Sequence, residues 1–455
     1  MKHESFDNLY FCLNSKFQLH LFPNGGIIFL RAQPNSRLEK EITYHLNITA
    51  SKIVEKCDGK TTLRELICEI ATKFYGDPET LIKDIVDFLI WGYETEILDV
   101  YSEPHPVEVV ICGSTDFFLP MHLMVELTDS CNLYCRHCYR NSSSNKNNFL
   151  ELNTLLRILH DFSHHGLKTI ELTGGEPTLH PEFPAIIEYC AQHFDFISVL
   201  TNGYLLNDSL IDLIKTYRDK FVIQIDLDGP NPETHDWLRG KAGSFEKALN
   251  SIALVSKSDI LCRVVMNVHA DNVYYIEEVA ELANRLGATW FSFSPILAVG
   301  RGGNLRLLSE TQFKQCIELT KKLKESYLNF FFSIDESQIE RLSDPKKNCG
   351  AGWRSQVLGP TGKLRPCVML DERKFIFGDL SKTSCEDLFR SAKEVIDFFH
   401  QIQPPDYTIC SNCQYFQFCA GCIVRPLLII EKQQFYSCHW ARYTKILHYL
   451  TDDNI

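Results

Sequence analysis

A chain of 455 residues is too long for one compact core, so two or three domains are expected. Its composition, 45% hydrophobic and 23% charged, is typical of a soluble globular protein, and no apolar run reaches the roughly 18 residues of a membrane span. The formal net charge of −12 argues against nonspecific nucleic-acid binding, which needs a basic surface. The polar start MKHESFDN lacks the form of a signal peptide, so the expected compartment is the reducing cytoplasm.

The first predicted domain, residues 1–105, combines strands with three short helices. Two β-like runs, FQLHLF and GIIFLRA, come before the helices. Thr62 with Glu65 forms a capping box, and Asp77 followed by Pro78 marks the start of the third helix. This order predicts a winged helix-turn-helix domain. Its acidic balance argues against DNA as a partner.

Residues 116–310 are predicted to form a partial (β/α)6 TIM-like barrel, which makes the central fold class α/β. Amphipathic helical stretches separate six β-branched or aromatic runs: LMVEL, TIELT, ISVLT, FVIQID, LCRVVMNV and TWFSFSP. Such alternation builds a parallel sheet, and six units suit an incomplete barrel better than an open doubly wound sheet. Chemistry in barrels of this kind collects beyond the carboxyl ends of the strands.

Four short motifs follow the first four of these strands. In chain order they are the loop CNLYCRHC, then GGEP, TNG and DLDG. Each alone is compatible with an ordinary turn, and Asn-Gly in particular is common turn chemistry. Because the carboxyl ends of the strands share one rim of a barrel, the four motifs together predict a functional site there.

The eighteen cysteines fall into three groups and a set of single residues. The groups are Cys131, Cys135 and Cys138; Cys349 and Cys367; and Cys410, Cys413, Cys419 and Cys422 with the later Cys438. The single residues are Cys12, Cys57, Cys68, Cys112, Cys190, Cys262, Cys316 and Cys385. Lone cysteines in apolar or mixed surroundings are expected to be buried structural thiols.

Taken alone, the late cysteines leave structural zinc and iron–sulfur clusters as alternatives. The early group, spaced C-x3-C-x2-C, favours iron and sulfur. Structural zinc prefers four protein ligands, whereas three thiolates leave one iron of a [4Fe–4S] cube open to an outside ligand. An open iron is a place where chemistry can occur.

The loop CNLYCRHC with GGEP one strand later resembles the radical S-adenosylmethionine (SAM) superfamily, whose members hold SAM on the open iron. The resemblance implies that Cys131, Cys135 and Cys138 bind the cluster. It also implies SAM contacts at His137, Gly174, Gly175, Glu176, Asn202 and Asp226, although relatives often carry serine at the last position. In that family one electron from the reduced cluster cleaves SAM, and the 5′-deoxyadenosyl radical abstracts a hydrogen from the substrate.

The C-terminal part, residues 349–455, resembles the SPASM domain, which binds two auxiliary [4Fe–4S] clusters. The resemblance implies Cys349, Cys367 and Cys422 for the first cluster, and Cys410, Cys413, Cys419 and Cys438 for the second. Only two residues separate Cys419 from Cys422, where many relatives have three. Some relatives carry a further cysteine shortly after the first, where this chain reads GAGWRS. The first auxiliary cluster is therefore predicted to lack one protein ligand, a vacancy suited to a substrate thiolate. A bridging segment, residues 311–348, is predicted between the barrel and this domain.

The N-terminal domain resembles the PqqD-like domains, in which the leader of a precursor peptide adds as a strand to the sheet. Together the modules resemble radical SAM peptide maturases, in particular the subtilosin-type sactipeptide and the ranthipeptide thioether synthases, through WLRGKAGSFEKA and FSFSPILAVGRGGN. The resemblance implies an oxidoreductase that links cysteine sulfur to carbon in a ribosomally made precursor. Its implied partners are that precursor and a reductant such as flavodoxin or ferredoxin, with no nucleic acid and no membrane.

Other outcomes of the same chemistry stay open at this point. They are carbon–carbon cross-linking, epimerisation and decarboxylation of a peptide. A noncatalytic iron–sulfur redox sensor is a further alternative, but a sensor would need neither GGEP nor a leader-binding domain.

Overall fold

The computed structural model describes residues 7–31, 43–73, 77–327, 330–334, 348–372, 375–432 and 438–446. Most of the second half of the predicted bridging segment and the last residues of the predicted SPASM domain lie outside this described part. The chain divides into two compact units, one reaching Met121 and including His164–Leu167, and one holding the rest. None of the described helices is long and apolar enough to cross a membrane.

The first unit contains seven described strands and three described helices. The strands are β1 Tyr10–Leu13, β2 Phe17–Phe22, β3 Gly25–Leu30, β4 Thr43–Leu46, β5 Asp58–Thr62, β6 Leu98–Tyr101 and β7 Ile111–Gly113. The helices are α1 Ile48–Glu55, α2 Leu63–Lys73 and α3 Pro78–Glu94. One sheet has the order β5-β1-β6 and the other the order β4-β3-β2-β7. The predicted combination of strands with three helices is confirmed, while the helix-turn-helix character stays a prediction.

The helices of this unit begin at the predicted capping residues. The Thr62 backbone N–H donates to the Glu65 carboxylate at 2.9 Å, and the Glu65 N–H donates to the Thr62 hydroxyl at 3.3 Å. The Asp77 carboxylate accepts from the Thr80 N–H at 3.0 Å, with Pro78 in the first turn. The apolar faces of the helices then pack into one core with both sheets, which includes Leu19, Ile28, Ile53, Val54, Leu66, Ile85, Leu89 and Leu98.

The second unit is built on the six predicted parallel strands. They are β8 His122–Glu126, β9 Thr169–Thr173, β10 Phe196–Thr201, β11 Phe221–Asp226, β12 Leu261–Val268 and β13 Trp290–Pro295, paired in chain order. The helices that follow or join them are α4 Leu152–His164, α5 Phe183–His193, α6 Asp208–Lys215, α7 Pro232–Arg239, α8 Ser244–Lys257, α9 Ile276–Arg285 and α10 Glu310–Ser326. This parallel sheet, flanked by helices in sequence, confirms the predicted central α/β fold.

The sheet is larger than the six predicted strands. At one edge β14 Phe331–Ile334 pairs in parallel with β13, and at the other β15 Ser355–Leu358 pairs in parallel with β8. Two short antiparallel strands, β16 Lys363–Arg365 and β17 Gly378–Asp379, continue beyond β15 and complete a ten-stranded sheet. A sheet edge carries unpaired backbone groups, and these added strands satisfy them with residues remote in sequence.

The C-terminal region of the second unit consists of short helices around an apolar core. They are α11 Cys385–Ser391, α12 Lys393–Gln401, α13 Tyr407–Cys410, α14 Phe416–Cys419, α15 Arg425–Lys432 and α16 His439–Thr444. The core contains Phe399, Ile423, Val424 and Trp440 together with the thiols of Cys410 and Cys422. The cysteine-rich region thus has a packed core of its own.

Seven of the eight single cysteines are buried, as predicted. Cys68 is the exception, because it is exposed to solvent. Its neighbours Leu66 and Ile70 on α2 point into the core, and a residue two positions from each of them lies on the other side of the helix. Helical geometry thus overrides the general preference of cysteine for burial.

Candidate functional site

The predicted cluster cysteines lie on the loop that leaves β8. Cys131 and Cys135 are buried, and Cys138 is partly exposed. The pKa of the Cys131 thiol is raised to about 12 and that of Cys135 to about 11, mainly by burial and to a smaller extent by neighbouring thiols of the triad. Ionising these thiols is therefore costly unless a bound cation compensates the charge, as a metal ligand requires.

The two glycines of GGEP allow the backbone after β9 to approach this loop closely. The Gly175 N–H donates to Thr128 O at 2.6 Å, and the Glu176 N–H donates to Ser130 O at 2.8 Å. A Cβ on Gly175 would lie 2.0 Å from Ser130 O, and one on Gly174, whose φ is +139°, would lie 2.4 Å from Thr128 O. Glycine is needed at both positions because any side chain would clash with this backbone. The close approach in turn positions the segment that leads into the first cysteine.

Replacing Gly175 by alanine is expected to displace this segment and to lower the rate of reductive SAM cleavage by about 100-fold, since a shift of about 1 Å in a reacting group has an effect of that order. The rate of 5′-deoxyadenosine release by the iron-loaded protein measures the effect. Gly303→Ala is the control, because a Cβ there meets its nearest atom at 3.8 Å. Equal rates for the two variants would show that the close approach is not needed.

Glu176 is 1% exposed, and its carboxylate has partners on the neighbouring strand. One oxygen accepts from the hydroxyls of Thr178 at 2.5 Å and Thr201 at 2.6 Å, and the other accepts from the Asn202 N–H at 2.8 Å. Burial raises the pKa of this carboxyl, and the hydrogen bonds oppose that rise. Glu176 therefore connects the ends of β9 and β10, and its contact with SAM stays a prediction.

Asn202 lies beside the cysteine loop. Its side-chain amide donates to Asn132 Oδ1 at 2.8 Å and lies 3.9 Å from Cys131 Sγ. Lys241 contributes a further contact, because its ammonium group donates to Asn132 O at 3.0 Å. The structure thus places the TNG motif beside the first cysteine. The sequence predicted only that the two motifs lie on the same rim of the barrel.

Asp226 and Asp228, from DLDG, both pair with Arg239 at the end of α7. Arg239 is 4% exposed; its Nη2 lies 2.8 Å from Asp226 Oδ2 and its Nε lies 2.7 Å from Asp228 Oδ2. Burial is the largest single influence on Asp228 and opposes its ionisation, but Arg239 together with the smaller contributions around it outweighs burial, so the pKa of this carboxyl lies below its ordinary value. Asp226 therefore has a cationic partner in its own chain, and its contact with SAM stays a prediction.

The position of Arg239 is a functional feature that sequence reasoning missed. Its Nη1 lies 3.9 Å from Cys135 Sγ, and its positive charge opposes the rise of the pKa of Cys135. A buried guanidinium next to the cluster loop favours thiolate, and it suits a carboxylate such as the one at the methionyl end of SAM. In the sequence, Arg239 stands in WLRG, a stretch that contributed to the family resemblance but indicated no role for the arginine.

Arg301 is a second residue that sequence reasoning missed. Its Nε donates to Cys135 O at 2.7 Å and its backbone N–H donates to Cys138 O at 3.0 Å. The guanidinium also lies 4.0 Å from the centre of the Tyr134 ring, a cation–π contact. Arg301, within the sequence GRGG after β13, thus holds the cysteine loop from the opposite side of the barrel rim.

The buried polar atoms of the loop fit a bound cofactor. Asn132 Nδ2 and His137 Nδ1 are buried and have no hydrogen-bond partner among the described residues. Burial lowers the pKa of His137 to about 4, so its ring is neutral near pH 7. Buried polar groups normally have partners, and these two atoms, with Arg239 nearby, suit a polar ligand that also carries an aromatic base. The donor set therefore fits SAM.

The three thiols of the triad are compatible with a cluster. Within the described residues, no three His, Cys, Asp or Glu side chains converge as a single ion would require. In a [4Fe–4S] cube each thiolate binds its own iron, so three ligands need not converge on one point. The triad on one short loop has the number and type of ligands that such a cube takes.

The C-terminal thiols influence one another electrostatically in two sets. The pKa of Cys367 is raised to about 12, first by burial and then by Cys422 and Cys349. The pKa of Cys410 is raised to about 11 and that of Cys419 to about 12, again first by burial, and Cys438 and Cys413 raise both. Cys422 also raises the pKa of Cys419, by less than these two thiols do, so the stronger influences follow the sets predicted for the two auxiliary clusters and a weaker one crosses between them. The assignment of each thiol to a cluster stays a prediction.

A cavity of about 420 Å³ lies between the loop after Cys138 and the loop after Cys367. Its lining includes Tyr139 and Arg140 from the first loop and residues 368–372 from the second. Its volume is within the range of small-molecule sites in proteins. The second unit therefore has space between two groups of proposed metal ligands.

Three protein-family models match the chain. The model "Radical SAM superfamily" matches residues 125–286, "Coenzyme PQQ synthesis protein D (PqqD)" matches residues 37–91, and "Iron-sulfur cluster-binding domain" (SPASM) matches residues 349–414. The matches follow the same order along the chain as the three predicted modules. The predicted domain boundaries extend beyond them and stay predictions.

Two curated relatives come from Bacillus subtilis (strain 168). The antilisterial bacteriocin subtilosin biosynthesis protein AlbA is 28% identical over 436 residues, covering 94% of this chain and 96% of that protein. The sporulation killing factor maturation protein SkfB is 26% identical over 261 residues, covering 57% and 63%. Among solved structures, Streptococcus suis SuiB bound to precursor peptide SuiA superposes with a TM-score of 0.64 at 13% identity, covering 93% of this chain and 97% of SuiB. That likeness shows a shared fold.

Proposed function

The chain is a radical SAM enzyme that carries PqqD and SPASM domains and uses SAM with [4Fe–4S] clusters, and from this we propose that it forms thioether cross-links in a ribosomally made precursor peptide. The observation that supports the product most directly is similarity to a subtilosin biosynthesis protein along nearly the whole chain. A cross-link between cysteine sulfur and carbon is the outcome that the resemblance to sactipeptide and ranthipeptide synthases implies.

The residues of the cysteine loop have separate roles in this proposal. Cys131, Cys135 and Cys138 hold the cluster, while Arg239 favours thiolate at Cys135 and offers a cation to the carboxylate of SAM. His137 remains neutral and provides a partly buried ring beside the adenine. When bound, SAM and the reduced cluster supply the 5′-deoxyadenosyl radical that takes a hydrogen atom from the peptide.

The leader of the precursor is proposed to bind the first unit. β4 is the outermost strand in its sheet order, and its Tyr44 packs against Trp91 of α3 at 5.1 Å between ring centroids. Ile82, Ile90 and Tyr93 are exposed on α3 and recur within one arc of the helix. The support for this proposal is the outermost position of β4 among the described strands of its sheet, because an edge strand can accept a peptide as an added strand.

We place the enzyme in the cytoplasm, where precursor peptides are made and thiols stay reduced. A flavodoxin or ferredoxin is proposed as the source of the electron for the SAM-binding cluster. Precursor and reductant together would complete the reaction.

The test combines iron-loaded enzyme, SAM, a reductant and a cysteine-containing precursor encoded beside the gene. Each thioether is expected to make the peptide lighter by two hydrogens, and each cysteine used should resist alkylation after treatment with a disulfide reductant. A carbon–carbon cross-link gives the same mass but leaves the thiols open to alkylation. Epimerisation leaves the mass unchanged, and decarboxylation removes carbon dioxide.

Two controls identify the origin of the mass change. Omitting SAM should leave the peptide unmodified, and a precursor with alanine in place of its cysteines should gain no cross-link. A peptide that stays unmodified with active, SAM-cleaving enzyme would contradict the thioether proposal for that precursor. Tandem mass spectrometry of the product would locate the acceptor residue.

A further inference from the structure

Glu126, the last residue of β8, is fully buried and bridges two arginines. Its Oε1 lies 2.6 Å from Arg365 Nη2, and its Oε2 lies 2.8 Å from Arg140 Nη2. Neither Glu126 nor Arg365 exposes any of its side chain, and Arg140 exposes 14%. A single carboxylate therefore joins two guanidinium groups away from water: the contact with Arg365 is a charge-assisted hydrogen bond, and the contact with Arg140 is an ion pair.

The two arginines belong to the two loops that carry proposed metal ligands. Arg140 follows Cys138 by two residues, and Arg365 precedes Cys367 by two residues. Arg365 also contacts its own loop, because its Nε donates to Cys367 O at 3.3 Å. The loops are separated by more than two hundred residues in sequence, so the bridge through Glu126 is a direct connection that the chain itself does not provide.

The charges of this network favour a fixed geometry. Glu372, 3.8 Å from Arg365 Nη1, adds a second negative charge, so two cations face two anions. Without Glu126 the two guanidinium groups would lose the anion they share, which is costly inside a protein.

We propose that Glu126 is a positioning residue that fixes the loop of Cys138 relative to the loop of Cys367. The proposal rests on the proposed function, because it sets the distance between the place where the radical forms and the region of the first auxiliary thiols. The cavity of about 420 Å³ lies between these loops, with Arg140 and Glu372 in its lining. Holding the loops apart at one separation would let a peptide segment meet both reactive regions.

The test variant is Glu126→Gln, which keeps the shape of the side chain and removes the charge. We expect SAM cleavage without peptide to stay within about twofold of the parent, while cross-linked peptide falls by about 100-fold, so that deoxyadenosine forms without product. Hydrogen exchange should become faster in both residues 139–148 and residues 363–372. The second readout does not depend on activity.

Glu55→Gln is the control, since it also removes one carboxylate charge from an ion pair, but this pair, with Lys52 at 2.7 Å, lies within α1 and joins no two loops. It should keep the parent's ratio of product to deoxyadenosine. Arg140→Gln removes one arm of the bridge and serves if Glu126→Gln loses its iron; it should uncouple the two products in the same way.

Three outcomes would overturn the proposal. They are a parent-like ratio in both bridge variants, an equal change in Glu55→Gln, and unchanged hydrogen exchange in both loops. If the parent enzyme itself forms no cross-link, the proposed function fails, and the exchange measurement alone still decides the role of Glu126.

Discussion

Replacing Cys135 by alanine is expected to abolish cleavage of SAM to 5′-deoxyadenosine. The thiol is buried beside Arg239, and alanine leaves neither a ligand for the iron nor a replacement within the loop. The C-terminal thiols should keep their own iron, so the protein should lose about four irons of about twelve. Iron analysis and deoxyadenosine release measure the two effects. Cys131→Ala and Cys138→Ala should behave in the same way.

Cys190→Ala is the control for this prediction. Cys190 is a fully buried thiol on α5, remote in sequence from the predicted ligands, and its replacement should cost only some packing energy. Full iron content and normal SAM cleavage are expected. Undiminished cleavage in Cys135→Ala would refute its assignment as a cluster ligand, because only two of the three proposed thiolate ligands would then remain.

Replacing Arg239 by methionine is expected to destabilise the second unit by about 3–5 kcal/mol, as is usual when one partner of a buried ion pair is removed. Asp228 is fully buried, and without the guanidinium its carboxylate would be a buried negative charge without its cationic partner Arg239. SAM binding should weaken at the same time, since the cation beside Cys135 would be gone. Unfolding by denaturant and calorimetric titration with SAM measure the two effects.

The double variant Arg239→Met with Asp228→Asn separates the two roles of Arg239. It removes the buried anion as well, so part of the stability should return while SAM binding stays weak. Lys322→Met provides a comparison, because its ion pair with Glu277 is exposed and such pairs contribute about 0–1 kcal/mol. Recovery of SAM binding in the double variant would show that Arg239 acts only through stability.

The parallel strands of the barrel could be predicted because burial leaves a local mark on the sequence. Runs such as FVIQID and LCRVVMNV match β11 and β12 closely, since β-branched and aromatic residues are favoured in buried strands. The helix starts at Thr62 and Asp77 were predictable for a similar reason, because caps are local hydrogen bonds. These strands and helix starts are thus determined by interactions between residues close together in the sequence.

The extensions of the sheet could not be predicted in this way. β15 has only four residues and joins β8 from a position more than two hundred residues away, a pairing that no local pattern announces. Ile82 shows the limit of periodicity itself, since it shares the helical spacing of α3 with the core residues Ile85 and Leu89 but is 42% exposed. Spacing defines an apolar face, while the neighbours decide how much of it is covered.

By itself the sequence determined the family resemblance and predicted which residues hold iron, because C-x3-C-x2-C and GGEP are motifs whose residues are close together in the chain. Only the tertiary structure decided what surrounds those ligands. Arg239 reaches Cys135 across 104 positions, and Arg365 reaches Glu126 across 239. Ion pairs of this kind depend on which strands and helices become neighbours, and a buried charge finds its partner only when the fold has brought the two together.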